Sequence, residues 1–369
     1  MIVPETPPLR PADHPRVAVV YPTTFGEGGV YGGGERYAVE LARALSRRVP
    51  ARLVTFGEKP ERRQEGSLEI RVHRPLSWVG GARNNPLSFG FLRDLLEADV
   101  IHCAAWNTLA TDFAVLLARW AGKRVYVTDV GGGAAVSLVR RLDLTRRLDG
   151  ILLIAEPGGA QFLGYRDRWS VIYAGIEIER YRPAEGTLRR GVLYVGRLLP
   201  HKGIDVLIEA LDPGVPLHVV GRPYHTEYFE LLKRLSAGKD VTFVTDATDD
   251  EVIGFYQRAA VAVLPSVNRT VYGAEFPLPE LLGFTLMEAM SCGAAAICTR
   301  VGALPEVVVD GESGFVVPPS DPEALRGRLR QLLADPELAA RLGRAARQRI
   351  VDRFTWDGVA RRCLEAYAR

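Results

Sequence analysis

Residues Val192-Leu193-Tyr194-Val195-Gly196-Arg197-Leu198-Leu199-Pro200-His201-Lys202-Gly203-Ile204-Asp205 read as an apolar β-branched run, a loop with two glycines and two cations, and the start of a helix. A short run that is apolar at successive positions belongs to a strand covered on both faces, as in a parallel sheet joined by helices. The same rhythm extends outward in both directions. Ahead of the quoted stretch, strands are expected at Arg16–Tyr21, Arg52–Phe56, Val100–Cys103, Arg124–Thr128, Ile151–Ala155 and Ser170–Tyr173, with helices at Glu35–Val49 and Thr108–Gly122. Behind it, strands are expected at Leu217–Val220, Val241–Phe243, Val261–Leu264, Ala295–Cys298 and Phe315–Val317, and the chain ends in helices at Pro322–Ala334, Glu337–Arg353 and Trp356–Tyr367. Between the two series, Ala174 to Arg190 breaks the pattern with Gly175, Pro183 and Gly186. The expected architecture is therefore α/β, with two Rossmann-like doubly wound domains facing a central cleft. Their expected bounds are 1–178 and 191–355, with a linker at 179–190 and a last helix at 356–369 that packs back on the first domain.

The chain has 369 residues, 25% charged and 47% hydrophobic, with a net charge of +3, which is the composition of a water-soluble globular protein. A charge that small makes no demand for nucleic acid as a partner. Lys supplies only five of the 47 basic residues (59, 123, 202, 233 and 239), so a Lys at a motif position is informative. Cys103, Cys292, Cys298 and Cys363 form no C-x-x-C pair, which argues against a zinc site or a disulfide framework and fits a reducing cytoplasm. The first residues lack a charged start followed by a long apolar run, and no segment approaches 18 uninterrupted apolar residues, so export and membrane spanning are not expected. Asn268-Arg269-Thr270 spells a glycosylation sequon and reads as a polar loop.

Chemistry concentrates in three places. In Pro279-Glu280-Leu281-Leu282-Gly283-Phe284-Thr285-Leu286-Met287-Glu288-Ala289-Met290, two carboxylates flank a glycine that opens an almost wholly apolar helix. Glu288 has no polar face on which to be solvated, so it needs a partner. The free amides of such a helix start can receive a phosphate, and a carboxylate on either side can accept hydrogen bonds from sugar or ribose hydroxyls. Arg197 and Lys202 can hold a diphosphate by one planar fork and one point charge, at about 1.5 to 3 kcal/mol per charged hydrogen bond. The plain alternative is two solvated loop cations. Finally, the first strand runs into Thr23-Thr24-Phe25-Gly26-Glu27-Gly28-Gly29-Val30-Tyr31-Gly32-Gly33-Gly34, a loop that allows close approach of a ligand. It does not spell G-x-G-x-x-G, and no G-x-x-x-x-G-K-[ST] occurs, which weakens a dinucleotide site or a P-loop.

These residues resemble the retaining glycosyltransferases of family 4 (glycosyl transferases group 1), which have the GT-B fold. Gly196-Arg197-Leu198 followed by His201-Lys202-Gly203 is similar to the family's diphosphate-binding segment, and Glu280 with Glu288 to its paired-glutamate motif. Thr299-Arg300-Val301-Gly302-Ala303-Leu304-Pro305-Glu306 and Asp310-Gly311-Glu312-Ser313-Gly314-Phe315 are similar to the two segments that follow. The resemblance implies an acceptor-binding first domain and a second domain that binds a nucleotide-diphosphate sugar. In it, Arg197 and Lys202 neutralise the departing diphosphate, Glu280 holds the transferred sugar and Glu288 the ribose. The amides of Gly283, Phe284 and Thr285 cap the distal phosphate, Gly196 and Ser266 belong to the same donor set, and Gly33 and Gly34 close over the diphosphate. It implies no required cofactor and no metal, in keeping with the lack of a D-x-D triplet. The acceptor would be a hydroxyl of a glycan, a lipid-linked molecule or a small molecule.

Two departures stand out. Where the family often has His before the glycine after the fourth strand, this chain has Thr128-Asp129-Val130-Gly131-Gly132-Gly133; Asp129 either stands near the sugar or caps the next turn. The connection from Ser266 to Glu280 is longer than usual and offers Asn268, Arg269 and Tyr272 to the nucleotide or the acceptor. His102, at the end of Asp99-Val100-Ile101-His102, is either an acceptor-side group or a satisfied structural one. Arg140-Arg141, Arg146-Arg147 and the arginines from 341 to 353 are either solvated helix faces or contacts for anionic lipid, which would put the protein peripherally at the inner face of a membrane. Two other functions compete: a nucleotide-sugar epimerase with the same fold, and a nucleotide-sugar-binding subunit without catalysis. A nicotinamide dehydrogenase is the weakest reading, because the fingerprint is missing.

Overall fold

β-Branched apolar runs alternating with amphipathic helices build two sheets, seen in a computed structural model that describes residues 14–22, 33–81, 84–130, 136–138 and 142–369. The chain divides into two compact units, Met1–Gly175 with Trp356–Arg369, and Ile176–Thr355.

In the first unit the strands are β1 (Val17–Val20), β2 (Ala51–Phe56), β3 (Glu61–Glu65), β4 (Leu68–His73), β5 (Ser77–Trp78), β6 (Pro86–Leu87), β7 (Val100–Cys103), β8 (Arg124–Val127), β9 (Gly150–Leu153) and β10 (Trp169–Val171). Eight of them form one sheet in the order β10-β9-β8-β7-β1-β2-β4-β3, and β5 pairs with β6 apart from it. Within the eight-stranded sheet pairing is parallel except between β3 and β4, and β5 and β6 pair antiparallel. The order reverses between β1 and β7, where Val17 lies beside Val100 and Val19 beside His102. Val20, Val54, Ile101, Val125 and Ile151 from the sheet bury against Phe91, Trp106 and Phe162. Helix Trp356–Tyr367 belongs to this unit: Trp356 packs edge-on against Tyr37 at 5.4 Å, and Arg362 Nε donates to the Ile172 carbonyl at 2.8 Å.

The hairpin β3–β4 was not expected from the sequence. β4 alternates cleanly between buried and half-buried positions, but β3, Glu-Arg-Arg-Gln-Glu, has no apolar face because it forms the sheet's outer edge. Its charges serve pairing across the hairpin, Arg62 to Glu69 at 2.7 Å among them, and charged side chains on an edge strand discourage association with other strands.

Of the two readings of His102, its surroundings fit the satisfied structural group. It is fully buried, with Nδ1 bonded to Tyr367 Oη and Nε2 to Thr128 Oγ1, each at 2.7 Å. Burial pushes its imidazole down to about 3. Protonation is thus favoured in the unfolded chain, where histidine titrates near pH 6.5, and stability falls as pH falls from about 6.5 toward 3. The expected loss is on the order of 1 kcal/mol per pH unit within that interval. Denaturant titrations of wild type and His102→Gln at pH 7 and pH 5 check this: the variant should lose distinctly less stability across the interval, and equal losses would contradict it.

In the second unit, β11 (Arg190–Val195), β12 (Leu217–Val220), β13 (Val241–Val244), β14 (Ala259–Leu264), β15 (Ala295–Thr299) and β16 (Phe315–Val317) form a parallel sheet in the order β13-β12-β11-β14-β15-β16. The chain winds outward from β11 to β13 on one side and from β14 to β16 on the other. Residues 179–190, expected as a linker, are fastened to this unit. Arg189 donates to the carbonyls of Tyr256 and Ala259, and Arg347 to those of Ile178 and Tyr181. Among the described residues no helix is long and apolar enough to cross a membrane.

Candidate functional site

A doubly wound sheet opens a crevice at the carboxyl ends of the two strands where its winding reverses, because the flanking helices diverge there. In the second unit those strands are β11 and β14, and the loops that leave them carry most of the expected residues. After β11 the chain passes Gly196 and the exposed Arg197, then makes a 3-10 turn at Pro200–Lys202. That loop is anchored by Leu198 N to the Arg222 carbonyl at 3.0 Å and by Val267 N to the His201 carbonyl at 2.9 Å. Tyr194 Oη donates to the Arg197 carbonyl at 3.0 Å, which fixes where the guanidinium stem begins.

Lys202 and Glu280 meet. Lys202 Nζ lies 2.5 Å from Glu280 Oε1, and Ser266 Oγ donates to the same oxygen at 2.6 Å. Thr299 Oγ1 in turn donates to the Ser266 carbonyl at 2.5 Å, so residues following β14 and ending β15 share one network. The side chains of Lys202 and Glu280 are only 13% and 8% exposed. A pair this buried gains from Coulomb attraction at low dielectric but bears the desolvation of both charges, so loss of either partner is costly.

Gly283 caps helix Phe284–Ser291, whose first internal bonds run from Leu286 and Met287 N to the Gly283 carbonyl. The amides of Gly283, Phe284 and Thr285 precede those bonds and are not consumed by them, and the helix dipole places partial positive charge there. Glu288, one turn further on, is 5% exposed and accepts from Tyr256 Oη at 2.8 Å. Burial and the neighbouring Glu288 hold the Tyr256 phenol well above its ordinary range, so it stays a donor. The partner that Glu288 requires was thus absent from the expected set; the signal for it was the buried carboxylate itself. His201, beside Lys202, is pushed down to about 4 by burial and by the Lys202 charge, and is neutral near pH 7.

Residues 267–279 fold into a small excursion in which Arg269 bridges to Glu275. Asn268 Nδ2 donates to the carbonyls of Phe276 and Pro277, and Arg269 faces Glu275 at 3.7 Å with both side chains exposed. Tyr272 stacks on His225 with ring centroids 5.5 Å apart, and Phe276 on His201 at 4.7 Å.

Gly33, Gly34, Asp129 and His102 belong to the first unit. Gly33 and Gly34 open helix Gly33–Ser46, and a side chain at Gly34 would come within 2.4 Å of Tyr21 Oη. The glycine loop before them, residues 23–32, and Gly131 to Gly133 lie outside the described residues. Asp129 is half-buried and accepts from Gln161 Nε2 at 2.5 Å, a partner 32 residues away. Of the basic clusters, Arg140 and Arg141 also lie outside the described residues. Arg347 and Arg349 are not a solvated face: Arg347 Nη1 donates to the Ser291 and Tyr181 carbonyls, and Arg349 to those of Glu306 and Val307. Among the described residues no three of His, Cys, Asp and Glu converge as metal ligands would.

Comparisons with known proteins bear on the family and the fold. Residues 31–180 match the model of glycosyltransferase family 4, and residues 177–349 that of glycosyl transferases group 1. A D-inositol 3-phosphate glycosyltransferase of Streptomyces bingchenggensis is 33% identical over 226 residues, which are 54% of this chain and 47% of that protein. The chain spans about half the length of the several relatives of that name that it matches. A GDP-mannose-dependent alpha-(1-6)-phosphatidylinositol monomannoside mannosyltransferase of Mycolicibacterium smegmatis is 30% identical over 280 residues, 68% of this chain and 72% of that protein. Among solved structures, an Anabaena protein in complex with UDP and glucose superposes with a TM-score of 0.71 at 18% identity, covering 95% of this chain and 99% of that one, which shows the shared GT-B fold. With both models matched in tandem and a relative covered over most of its length, the chain belongs to the glycosyl transferases of group 1 and family 4.

Proposed function

We propose that this protein moves a sugar from a nucleoside-diphosphate sugar to a hydroxyl acceptor with retention of configuration, and that the donor binds at the carboxyl ends of β11 and β14. The observation that carries the reading is the pairing of two buried carboxylates around one helix start, Glu280 held by Lys202 and Ser266 and Glu288 held by Tyr256. Neither carboxylate is arranged as a nucleophile or as a solvated charge. Each is oriented by donors so that it can accept further hydrogen bonds, which is what hydroxyls of a sugar and a ribose supply.

In this reading the diphosphate lies against Arg197, Lys202 and the helix-start amides, which answer its charge as the glycosidic bond breaks, and no metal is assigned. Lys202 bridges the diphosphate and Glu280, so the group that stabilises the leaving phosphate also aligns the carboxylate that holds the sugar. The acceptor hydroxyl attacks the face being vacated and passes its proton to the departing phosphate oxygen. Such a reaction needs positioned charge and orientation more than a protein base. The names of the relatives support the class of donor: one uses GDP-mannose, and the Anabaena structure holds UDP and glucose.

A thermal-shift series with UDP, GDP and ADP tests the donor site. At least one should raise the melting temperature of the wild type, and Arg197→Ala should remove most of that rise while leaving the unliganded melting temperature unchanged, because Arg197 is exposed. The same variant should lower kcat/KM by about 10- to 100-fold, the worth of one or two charged hydrogen bonds. An undiminished shift in Arg197→Ala would contradict the site.

A further inference from the structure

We propose that Tyr256 is the positioning residue that sets the plane of Glu288 for the donor's ribose, a proposal that rests on the donor-site reading above. Tyr256 sits in the last turns of helix Asp249–Arg258 and is 1% exposed. Its hydroxyl reaches Glu288 Oε2 at 2.8 Å across a sequence separation of 32 residues. Its ring is held in turn: Tyr181, itself buried, packs edge-on against it with centroids 6.2 Å apart.

The surroundings of Glu288 make an orienting donor necessary. Leu286, Met287, Ala289 and Met290 of the same helix are all buried, so the carboxylate enters an apolar environment. A buried carboxylate is stable there only with donors aimed at it. Because the phenol remains protonated, it donates to Oε2 and restricts rotation of the carboxylate. A carboxylate whose rotation is already restricted loses less freedom when two neighbouring hydroxyls donate to it, so recognition of a vicinal diol should depend on an atom that never touches it.

Calorimetric titration of UDP, GDP and ADP, each compared with its 2′,3′-dideoxy form, separates this role from a merely structural one. The quantity read is the preference for the ribonucleotide, expected to be about tenfold or more in the wild type for the diphosphate that binds most tightly. Tyr256→Phe, which keeps the ring and removes one oxygen, should bring that preference down toward unity by about fivefold or more, as should Glu288→Gln. Ser291→Ala is the structural control. Ser291 Oγ donates to the Tyr181 carbonyl at 2.6 Å, but Arg347 Nη1 holds the same carbonyl at 2.7 Å, so this variant loosens the helix end without releasing Tyr181; it should lower the melting temperature but keep the preference. If Glu288→Gln abolishes the preference while Tyr256→Phe keeps it, the positioning role is overturned and the donor site stands. If Glu288→Gln itself keeps the preference, the assignment of Glu288 to the ribose falls, and this inference with it.

Discussion

Lys202→Met should reduce sugar transfer by roughly 100- to 1,000-fold, the cost of removing one preorganised charge from a transition state, and also destabilise the second unit by about 3 to 5 kcal/mol. The stability cost arises because Glu280, 8% exposed in its side chain, would keep its charge in a buried place with only the Ser266 hydroxyl to answer it. The two effects can be separated by a second substitution. Lys202→Met with Glu280→Gln removes both charges and should recover most of the lost stability, since the uncompensated carboxylate is gone. Transfer should not recover, because the leaving diphosphate still lacks its cation. Denaturant melts and initial rates on the single and double variants measure both quantities. A Lys202→Met protein that turns over at the wild-type rate would remove Lys202 from the mechanism.

Gly302→Ala should be nearly as damaging, although position 302 is assigned no contact with substrate. Gly302 has a φ of 51°, where an alanine costs roughly 1 to 2 kcal/mol. A Cβ there would also stand 2.0 Å from the carbonyl oxygen of Glu280 and 3.0 Å from its carbonyl carbon. Backbone has no rotamer by which to yield, so the segment carrying Glu280 must shift away from Lys202 and Ser266. A misplacement of an ångström or so at a reacting centre costs about 100-fold in rate. Gly311→Ala is the matched control: its φ is 77°, and a Cβ there meets nothing within 4 Å. It should lose about the same backbone energy and keep its turnover. Equal rates in the two variants would argue against the Glu280 geometry as the reason for the loss.

The alternation of apolar strands and helices was legible because burial on both faces leaves an unmistakable run of Val, Ile and Leu. The expected ends of Leu217–Val220, Phe315–Val317, Pro322–Ala334 and Trp356–Tyr367 coincide with the observed elements. What escaped were elements whose residues answer to neighbours rather than to the core. β3 is a charged edge strand, and residues 179–190 look like a linker until Arg189 and Arg347 are seen to fasten them. The site shows the same division. Each of Arg197, Lys202, Glu280 and Glu288 could be given a role from its local motif. That Lys202 and Glu280 bind one another could not, because 78 residues separate them. The partners of Glu288 and His102 are hidden for the same reason: Tyr256 is 32 residues away from the first and Tyr367 is 265 from the second.

Transfer with retention from a nucleoside-diphosphate sugar can be followed by NMR at the anomeric proton while the protein is incubated with UDP-, GDP- and ADP-sugars and a panel of glycan, glycolipid and small hydroxyl acceptors. Nucleoside diphosphate should be released from at least one α-linked donor, with an α-linked product formed first. Formation of a β-linked product from an α-linked donor, or no sugar transferred from any donor on the panel, would contradict retaining transfer.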